Sequence, residues 1–487
     1  MNTKRMGKWV IVLFLLAALP GMTAVMAQGQ EPAEKDTALA AVAEIGESIT
    51  PFPWVNDESG SNDTKEGATY IGSPNGVVFG GIIDRAGDVD YWKIYSSWEA
   101  ETDNGFLFNI DARSFGSPLD SVICLYSDNG IELSCNNDMQ GATSRDSLLY
   151  YNVQGNRFYY LKVSNFNENV GGNDFRYQLQ VSHPLLISAA AAKLGAGANV
   201  VGIPIQSGDV LAWGDITQYG DYPYLEYEKW VMLFDLSDLG VKGNVVNLSA
   251  GWRNSDYLLM SFANNVTLPG ITGQVSPWDV VVFDPSQVGP DTVGTFQRWW
   301  NGKQQGLTTT AEKPDAIHWP EWDGTTKLAV STGGAASVPG PSGVLKLADE
   351  DVGLWTIENG AWSRQLDGQG WTRNPRGEEH NWGLGAKDVI AYSATWWHDY
   401  ADFFENYFIV IQGAGTFVVN WRDDWGWHWQ VTLSYSQKDI VRLHDMDLEG
   451  WTDGGAYVWW HGPDHGWNYN IDAIHVCYPF GDYYIPG

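Results

Sequence analysis

Aromatic side chains are concentrated in one short segment near the end of the sequence, and they suggest binding chemistry. Four tryptophans recur there, at Trp421, Trp425, Trp427 and Trp429. An indole ring offers a large apolar face and one N–H donor, which suits stacking on a sugar ring or gripping a peptide side chain. The segment lengthens the last of a series of repeats, and functional residues concentrate on such insertions. We therefore expect these four residues to form a ligand-binding surface, whereas Trp355 and Trp362, which recur with the repeat, are expected in the core.

Catalytic constellations are not evident in the sequence. It contains no His-Glu-x-x-His metalloprotease motif and no Gly-x-Ser-x-Gly nucleophile elbow. His461 and His465 have the spacing of a metal site only if they lie on a helix, and the Gly-Pro-Asp between them favours a loop. Asp423 and Asp424 suit a glycosidase only at a separation that the sequence does not give. The sequence assigns no catalytic residue, and a non-catalytic protein is favoured over an enzyme.

A pattern that recurs three times indicates how the C-terminal half is built. An Asp-led apolar strand begins at Asp279, Asp351 and Asp439, at intervals of 72 and 88 residues. A second Asp-led strand follows each of them after 36, 37 and 33 residues, at Asp315, Asp388 and Asp472. Self-similarity at this period indicates stacked copies of one supersecondary unit, which cannot bury its hydrophobic face alone.

Each repeat unit contains four expected strands. In the best-formed copy they span residues 258–262, 279–283, 295–300 and 315–319, and a degenerate first copy begins at Asp209. Four-stranded units repeated about four times are typical of a small β-propeller. Residues 209–487 are therefore expected to form a Trp-rich β-repeat domain, a four-unit propeller, with a β-sandwich of duplicated halves as the alternative. This half resembles exported, propeller-like β-repeat proteins of unassigned function, and that likeness implies no activity.

The repeated aspartates have two interpretations. A carboxylate just before a strand can accept hydrogen bonds from backbone N–H groups of the preceding turn, and so fix the entry of the strand. Alternatively, a ring of carboxylates around a central channel would hold a cation. Their presence in every unit favours the structural role, because chemistry usually needs one asymmetric site. The set comprises Asp209, Asp279, Asp315, Asp351, Asp388, Asp439 and Asp472.

The N-terminus and the charge bear on location and partners. Residues 1–27 have the positive start, apolar stretch and small-residue cleavage site of a secretory signal peptide. We expect cleavage and a secreted protein of the extracellular space or cell envelope, with no membrane span in the mature chain. Residues 28–52 are expected to form a linker. The formal net charge of −31 disfavours nucleic acid as a partner, because it repels phosphate backbones.

Two of the three cysteines flank a hairpin signal. If Asn129 and Gly130 are the two loop residues, Cys124 faces Cys135 on the neighbouring strand. Opposed cysteines lie within disulfide range, and an exported protein meets an oxidising environment. We therefore predict a disulfide between Cys124 and Cys135. Cys477 is interpreted as a small buried hydrophobe.

Residues 53–182 have the texture of a β-sandwich, with short alternating strands and no helical pattern between them. Characteristic elements are Asn62-Asp63-Thr64, Gly80-Gly81-Ile82, Gly87-Asp88-Val89-Asp90-Tyr91-Trp92 and Phe158-Tyr159-Tyr160-Leu161-Lys162-Val163. In these elements and their order the stretch resembles the bacterial pre-peptidase C-terminal domain. The resemblance implies a non-catalytic, jelly-roll-like sandwich appended to an exported protein. Residues 183–208, rich in Ala and Gly, are expected to link it to the repeats.

The same resemblance bears on metal binding. Some relatives hold calcium through acidic residues at the edge of the sandwich, and oxygen ligands of this kind are those that calcium prefers. The matching positions are Asn62, Asp63, Asp88, Asp90 and Asp138. A calcium site at these residues is an expectation, and the sequence indicates no other cofactor.

Together these features favour a secreted, non-catalytic binding or adhesion protein that recognises an extracellular polymer, either a polysaccharide or a protein. The alternatives are a secreted hydrolase, either a glycosidase or a peptidase-associated protein, with a site assembled across the repeats, and a structural component of the envelope. A groove around residues 421–429 would favour binding. Two close carboxylates at the floor of a pocket would favour a glycosidase.

Overall fold

Regular structure in this protein is almost entirely β-strand. The computed structural model describes residues 62–477 except 73–76, 97–103, 138–144, 190–193, 195–196, 218–225, 242–244, 250–254, 320–326, 369–371, 374–378, 382, 385–386, 400–401, 423–427 and 445–454. Helical structure in these residues is limited to the short 3-10 turns Lys65–Gly67, Arg113–Phe115, Leu236–Leu239, Gly302–Gln305, Thr310–Glu312 and Gly462–His465. The described residues hold no helix long and apolar enough to cross a membrane. The expected all-β class is confirmed.

The first domain is a sandwich of two sheets. Its described strands are β1 (Thr69–Tyr70), β2 (Val77–Ile82), β3 (Val89–Ser96), β4 (Asn104–Asp111), β5 (Ser121–Ser127), β6 (Glu132–Asn136), β7 (Leu148–Val153), β8 (Arg157–Asn165) and β9 (Arg176–Ser182). One sheet has the order β1-β3-β8-β5-β6 and the other the order β2-β9-β4-β7. The pairs are antiparallel except for β1 with β3. This arrangement confirms the expected sandwich.

An aromatic core lies between the two sheets because their strands alternate in polarity. Along β3, Trp92 is buried whereas its neighbours Tyr91 and Lys93 are half-exposed. Tyr177 crosses the core, where its hydroxyl accepts a hydrogen bond from Trp92 Nε1 at 3.0 Å and donates to Asp90 Oδ2 at 2.6 Å. Gly81 lies against this ring, and a Cβ at that position would come within 2.3 Å of it. Only glycine allows so close an approach.

The second domain is a four-bladed β-propeller, and each blade is a four-stranded antiparallel sheet. From the axis outwards, blade 1 consists of β33 (Ile471–Val476), β10 (Leu185–Ala189), β13 (Val210–Thr217) and β14 (Glu226–Phe234). Blade 2 consists of β15 (Val245–Ser249), β16 (Leu258–Phe262), β17 (Asp279–Gln287) and β18 (Val293–Asn301). Blade 3 consists of β19 (Pro314–His318), β20 (Lys327–Thr332), β23 (Val352–Thr356) and β24 (Trp362–Leu366). Blade 4 consists of β27 (Val389–Asp399), β28 (Asp402–Ile411), β31 (Asp439–His444) and β32 (Gly455–His461).

The ring closes through its inner and terminal strands. The inner strands β33, β15, β19 and β27 each pack beside the inner strands of both neighbouring blades. The last strand, β33, pairs with β10 and so completes blade 1. The expected repeat unit therefore has the right number of strands but is shifted by one strand relative to the blade. Residues 315–319, expected to end a unit, overlap the inner strand of the next blade, and the expected linker 183–208 contains β10.

The third strand of every blade starts beside an aspartate that ties the blade together. Asp209, Asp279, Asp351 and Asp439 each accept a hydrogen bond from the backbone N–H three residues earlier, at 2.6–2.9 Å. The other carboxylate oxygen contacts the end of the outer strand or the residues just after it. These contacts are made by the Leu236 N–H, the Asn301 amide, the Gly368 N–H and the His461 ring, respectively. These contacts confirm the predicted structural role at four of the seven repeated aspartates.

The other three aspartates do not share one position. Asp315 and Asp472 are the bulged residues inside β19 and β33, whereas Asp388 precedes β27, in which the bulge falls at Ile390. The expectation that each repeated aspartate immediately precedes a strand is therefore wrong for Asp315 and Asp472. A bulge adds one residue to a strand, and when the bulges are aligned Asp388 lies two residues ahead of the Asp315 equivalent.

Neighbouring blades are joined by three side chains at repeated positions, one from the outer strand of one blade and two from paired positions of the next. Between blades 2 and 3, Trp300 contacts Trp355 and Trp362 at ring-centroid distances of 5.9 and 6.2 Å. Between blades 4 and 1, Trp460 contacts Trp213 and Trp230 at 6.2 and 6.1 Å. All four contacts are edge-on, with interplanar angles of 66–69°. The two junctions therefore have the same geometry.

The remaining junctions use the same positions with smaller side chains. Between blades 1 and 2, Phe234 contacts Phe283 and Phe296 at 4.9 and 6.5 Å. Between blades 3 and 4, the equivalents Leu366 and Leu443 belong to one core cluster. The tryptophan junctions add a hydrogen bond, because Trp362 Nε1 donates to the Gln305 carbonyl and Trp230 Nε1 to that of His465, in matching 3-10 turns. Trp355 and Trp362 are core residues, as predicted.

Connections between the second and third strands of the blades carry additional strands. Blade 1 has the pair β11 (Asn199–Val200) and β12 (Ile203–Pro204), and blade 3 has the hairpin β21 (Ala336–Gly340) and β22 (Gly343–Leu347). Blade 4 has the long hairpin β29 (Ala414–Arg422) and β30 (His428–Ser436). This hairpin joins β25 (Thr372–Arg373) and β26 (Glu379–Asn381) in a separate sheet, ordered β25-β26-β29-β30.

The aspartate contacts lead to a stability prediction. Asp279→Ala removes the acceptor for the Ser276 N–H and hydroxyl and for the Asn301 amide, and leaves these donors without it. We expect the free energy of unfolding, measured by urea denaturation, to fall by about 2 kcal/mol. Asp464→Ala is the control, because Asp464 is exposed on a 3-10 turn. Equal effects of the two substitutions would contradict the assigned role of Asp279.

Candidate functional site

The predicted tryptophan surface falls on the separate sheet beside blade 4. Trp421 on β29 and Trp429 on β30 occupy paired positions, and His380 on β26 pairs with Trp421. Trp425 and Trp427 lie outside the described residues. The hairpin therefore brings the first and last members of the set opposite each other in the ladder. Their role in ligand binding stays a prediction.

The two C-terminal histidines have structural partners. His461 precedes the turn Gly462–His465 and its Nδ1 contacts Asp439 Oδ1, in the position that Asn301 takes in blade 2. His465 stacks on Trp460 with a ring-centroid distance of 5.3 Å and also contacts Trp213 at 5.0 Å. A 3-10 turn replaces the loop expected between them, and it serves the junction between blades 4 and 1.

The predicted disulfide between Cys124 and Cys135 is present. The reasoning that led to it needs one correction, because the hairpin loop has three residues: the Ser127 N–H donates to the Ile131 carbonyl, and Tyr126 faces Glu132. A bulge at Leu133 then restores the alignment of Cys124 with Cys135. The longer loop and the bulge each shift the register by one residue and cancel. Cys477 is buried, as predicted.

Four of the five expected calcium ligands lie in one region of the sandwich, around Arg85. The guanidinium of Arg85 donates to Asp63 Oδ2, contacts Asp84 Oδ1 at 2.8 Å and lies 3.6 Å from Asp88 Oδ1. Asp90 is occupied differently, because its two oxygens accept from Asn62 Nδ2 at 3.1 Å and from the Tyr177 hydroxyl. Asp138 lies outside the described residues. Asp63 and Asp88 thus face a cationic centre, while Asp90 anchors the core.

The electrostatics of this acidic cluster suit a bound cation. Burial raises the pKa of Asp88 to about 7, although the Asp84 N–H donates to it at 2.6 Å and lowers the pKa. Asp63 Oδ1 and Asp88 Oδ1 are enclosed and receive no hydrogen bond within the described residues. Carboxylate oxygens in this state fit a hard cation such as calcium. Asp63, Asp84 and Asp88 would hold the ion, in the place that the Arg85 guanidinium takes here.

Near the propeller axis, two carboxyl groups from neighbouring blades come together. Burial raises the pKa of Asp315 well above its ordinary value, and Asp388 raises it further. The pKa of Asp388 rises to about 6 through burial, while its hydrogen bond with Asp315 lowers it. We infer that Asp315 keeps its proton and donates it to Asp388. Two of the seven repeated aspartates therefore share a hydrogen bond between blades 3 and 4.

Two histidines from opposite blades meet across the axis. His318 on blade 3 and His475 on blade 1 are almost fully buried, and their rings stack at a centroid distance of 5.8 Å. Tyr392 of blade 4 contacts His318 at 6.0 Å. Burial lowers the pKa of His318 to about 3, against a hydrogen bond with the Ala394 backbone, and burial with His318 lowers that of His475. Both imidazoles are neutral at physiological pH, which makes the pair part of the core.

A further candidate site is a cleft where the sandwich docks on blade 2. The backbones of Asn152 and Ser255 exchange hydrogen bonds of 2.7 and 3.1 Å, and Ser134 Oγ donates to Asp256 Oδ2 at 3.0 Å. Beside these contacts lies a cavity of about 760 Å³, within the range of about 300–1,000 Å³ that is usual for ligand sites. Its lining includes Tyr151, Asp256, Tyr257, Asp284, Gln297 and Trp299.

The chemistry of the cleft combines aromatic faces with polar groups. Tyr257 and Trp299 are half-buried, and Gln297 is exposed beside them. Trp299 is held edge-on to Trp319 at a ring-centroid distance of 4.4 Å, and this contact fixes the orientation of the Trp299 ring. Burial raises the pKa of Asp256 to about 6, the hydrogen bond from Ser134 lowers it, and Asp284 raises it. The cleft therefore presents two rings, an amide and a carboxyl pair to one ligand.

None of the cleft residues was expected from the sequence. Trp299 is the bulged residue of β18, and the equivalent bulges fall at Leu233, Gln365 and Trp459. Trp299 could have been identified from the sequence, because it adjoins Trp300 and the same pair of tryptophans recurs at Trp460. Asp256 and Tyr257 carry no such signal. Their role depends on the sandwich docking beside them, which no local pattern encodes.

Comparison with known proteins adds little to this picture. No protein-family model and no curated protein matches the sequence. Among solved structures, the chain is similar to the pre-peptidase C-terminal domain of a collagenase from Bacillus anthracis, with 14% identity and a TM-score of 0.18. The match covers 24% of this chain and 94% of that one. It agrees in part with the resemblance seen in residues 53–182 and assigns no ligand.

The acidic cluster predicts a response to calcium. If calcium displaces Arg85 from Asp63 and Asp88, excess calcium should raise the thermal midpoint by about 5 °C relative to chelator. Arg85→Ala should melt lower in chelator, because three carboxylates lose their cation, and should gain more from calcium. Asp88→Asn should reduce the gain. Midpoints that are the same with calcium and chelator in both the wild type and Arg85→Ala would remove the calcium expectation.

The axial histidines predict a pH-dependent stability. Because the pKa of His318 is about 3 when folded and about 6.5 when unfolded, the unfolded chain binds more protons between these values, and stability falls as the pH drops below 6.5. The loss approaches about 1.4 kcal/mol per pH unit. We therefore expect His318→Gln to destabilise the protein by about 2 kcal/mol less at pH 4.5 than at pH 7.5 in urea denaturation. Tyr392→Phe, at the same cluster, should have equal effects at both pH values.

Proposed function

We propose that the protein is a secreted, non-catalytic protein that binds an extracellular glycan in the cleft between the sandwich and blade 2. The observation that carries the proposal is the pairing of the Tyr257 and Trp299 rings with Gln297 and Asp256 in one cavity of about 760 Å³. Aromatic faces suit the apolar faces of sugar rings, and the polar groups suit their hydroxyls. A glycan is favoured over a protein polymer, because the lining combines aromatic rings with hydrogen-bonding groups such as Asp256, Asp284 and Gln297.

The architecture supports recognition of an extended ligand. Each wall of the cleft belongs to a different domain, with Tyr151 from the sandwich facing Tyr257 and Trp299 from blade 2. The walls are joined by backbone bonds between Asn152 and Ser255, which fix their spacing without filling the cavity. A site formed in this way loses little conformational freedom when a ligand binds.

A hydrolase is the second candidate, and one observation favours it. Asp256 and Asp284 both line the cleft, and the pKa of Asp256 is raised to about 6 by burial, with Asp284 as a further cause. A carboxyl group with a raised pKa near a second carboxyl group is the arrangement with which glycosidases protonate a leaving group. The structural alternative is that Asp256 mainly ties Ser134 of the sandwich to the propeller.

The proposal is tested by titrating tryptophan fluorescence against a panel of neutral polysaccharides. We expect a saturable spectral shift in the wild type, and about tenfold weaker binding in Tyr257→Ala and Trp299→Ala, because each loses a stacking surface. Phe166→Ala is the control, because Phe166 is 62% exposed and is not among the cleft residues. Unchanged affinity in both cleft variants would exclude the cleft as the site.

The same samples distinguish the competing proposals. Release of shorter sugars that is lost in Asp256→Asn would establish the hydrolase instead of the binding protein. Weaker binding in Trp421→Ala and Trp429→Ala, with wild-type behaviour of the cleft variants, would move the site to the hairpin of β29 and β30.

A further inference from the structure

A second surface, separate from the cleft, lies on the outer face of the five-stranded sheet of the sandwich. Side chains that point away from the core alternate along β3 and β8, and they are aromatic or basic rather than small and polar. On β3 they are Tyr91, Lys93 and Tyr95, and on β8 Phe158, Tyr160 and Lys162. We refer to these residues, with Lys65, Tyr70 and Tyr126, as the aromatic–lysine face.

The strand register arranges this face in rows. Tyr70, Lys93, Tyr160 and Tyr126 occupy directly paired positions on β1, β3, β8 and β5. The row crosses four neighbouring strands and is therefore about 14 Å long. A second row pairs Tyr91 with Lys162. Aromatic and basic side chains thus lie side by side on this face, one strand spacing apart.

Two of the three lysines of the face, Lys65 and Lys93, lie over aromatic rings. Lys93 Nζ is 4.1 Å from the centroid of Phe158, and Lys65 Nζ is 4.5 Å from that of Tyr160. A cation over a ring keeps its charge and is held in place. Phe158 is also in contact with Tyr95 at 5.0 Å and with Tyr70 at 6.3 Å. The ammonium groups and the ring edges are therefore fixed in one layer.

The charge of the face differs from that of the whole chain. The protein has 59 acidic and 28 basic residues, yet Lys65, Lys93 and Lys162 form no ion pair with a carboxylate in the described part of the chain. Of the nearby acids, Glu132 accepts a hydrogen bond from Tyr126 at 2.9 Å, and Glu66 is exposed next to Lys65. Glu66 also acts electrostatically on Tyr91 of the face. Three lysines thus outnumber the two glutamates here, whereas acidic residues outnumber basic ones in the whole chain.

We propose that the aromatic–lysine face binds an acidic polysaccharide, of the class whose sugar rings carry carboxylates. The rings of Tyr70, Tyr95 and Phe158 would stack on sugar faces, and Lys93 and Lys162 would meet the carboxylates. Nucleic acid fits less well, because its dense phosphates meet the repulsion of the −31 chain, whereas a uronate polymer has a lower charge density. Screening limits that repulsion to about 8 Å at physiological salt, so the lysines in contact dominate.

The test compares one polymer in two charge states. The full chain is titrated by calorimetry with unesterified polygalacturonate and with its fully methyl-esterified form, which has the same backbone without the charges. We expect binding of the unesterified polymer, at least tenfold weaker binding of the ester, and weakening of the first as NaCl rises from 50 to 500 mM. Equal binding of the two polymers, or binding of neither, would overturn the proposal.

Variants then place the binding on this face. Lys93→Gln combined with Lys162→Gln should weaken polygalacturonate binding about tenfold. Tyr70→Ala should weaken it about fivefold and should leave the fold intact, because Tyr70 is 59% exposed. Lys346→Gln removes the same charge at an exposed site on blade 3 and should bind like the wild type. Wild-type affinity in both face variants would overturn the assignment.

Two further arms separate this site from others. Tyr257→Ala in the cleft should leave polygalacturonate binding unchanged, so failure of the cleft proposal and failure of this one give different results. A single-stranded oligonucleotide of matched charge should bind more weakly than polygalacturonate. Tighter binding of the oligonucleotide would replace the acidic glycan by nucleic acid as the partner.

Discussion

The propeller depends on the packing of side chains between each blade and the next. At three of the four junctions one side chain from an outer strand contacts two paired side chains of the following blade. At the fourth junction the equivalent residues Leu366 and Leu443 belong to one core cluster. Around the ring the outer-strand residues are Phe234, Trp300, Leu366 and Trp460. Large and smaller contacts alternate, so opposite junctions are the similar ones. Because the blades diverge from the axis, these side chains fill the widening space between them, and much of the abundance of tryptophan in this domain serves packing rather than binding.

The features predicted correctly from the sequence are those that depend on residues close together in the chain. The aspartate that accepts from the backbone three residues earlier was readable at Asp209, Asp279, Asp351 and Asp439, because a turn and its acceptor lie within one short segment. The blade boundaries could not be predicted from the sequence. Because β33 pairs with β10 to close the ring, each blade is shifted by one strand relative to the sequence repeat. The bulges at Asp315 and Ile390 misaligned the inner strands for the same kind of reason, since an extra residue in a ladder leaves no clear trace in composition.

The candidate site shows a sharper limit. Tyr257 and Asp256 become cleft residues only when Ser134 and Asn152 of a separate domain dock beside them. The Cys124–Cys135 bond was predicted correctly from a two-residue loop, although the loop is longer and a bulge compensates for it. In the disulfide, which residues meet was predicted correctly, whereas how the backbone brings them together was not. The first follows from pattern more often than the second.

The pairing of β33 with β10 has a consequence for the order of assembly. During synthesis the sandwich and β10 emerge first, and the inner partner of β10 follows almost three hundred residues later. Until then β10 presents an unpaired edge, and an edge strand of this kind recruits whatever strand is available. Blades 2, 3 and 4 can form as their strands appear, but the ring stays open and the first blade keeps an unpaired edge. The final strand, β33, closes the ring. Before β33 has been synthesised, the chain is most prone to pair with a strand of a neighbouring chain instead of with its own.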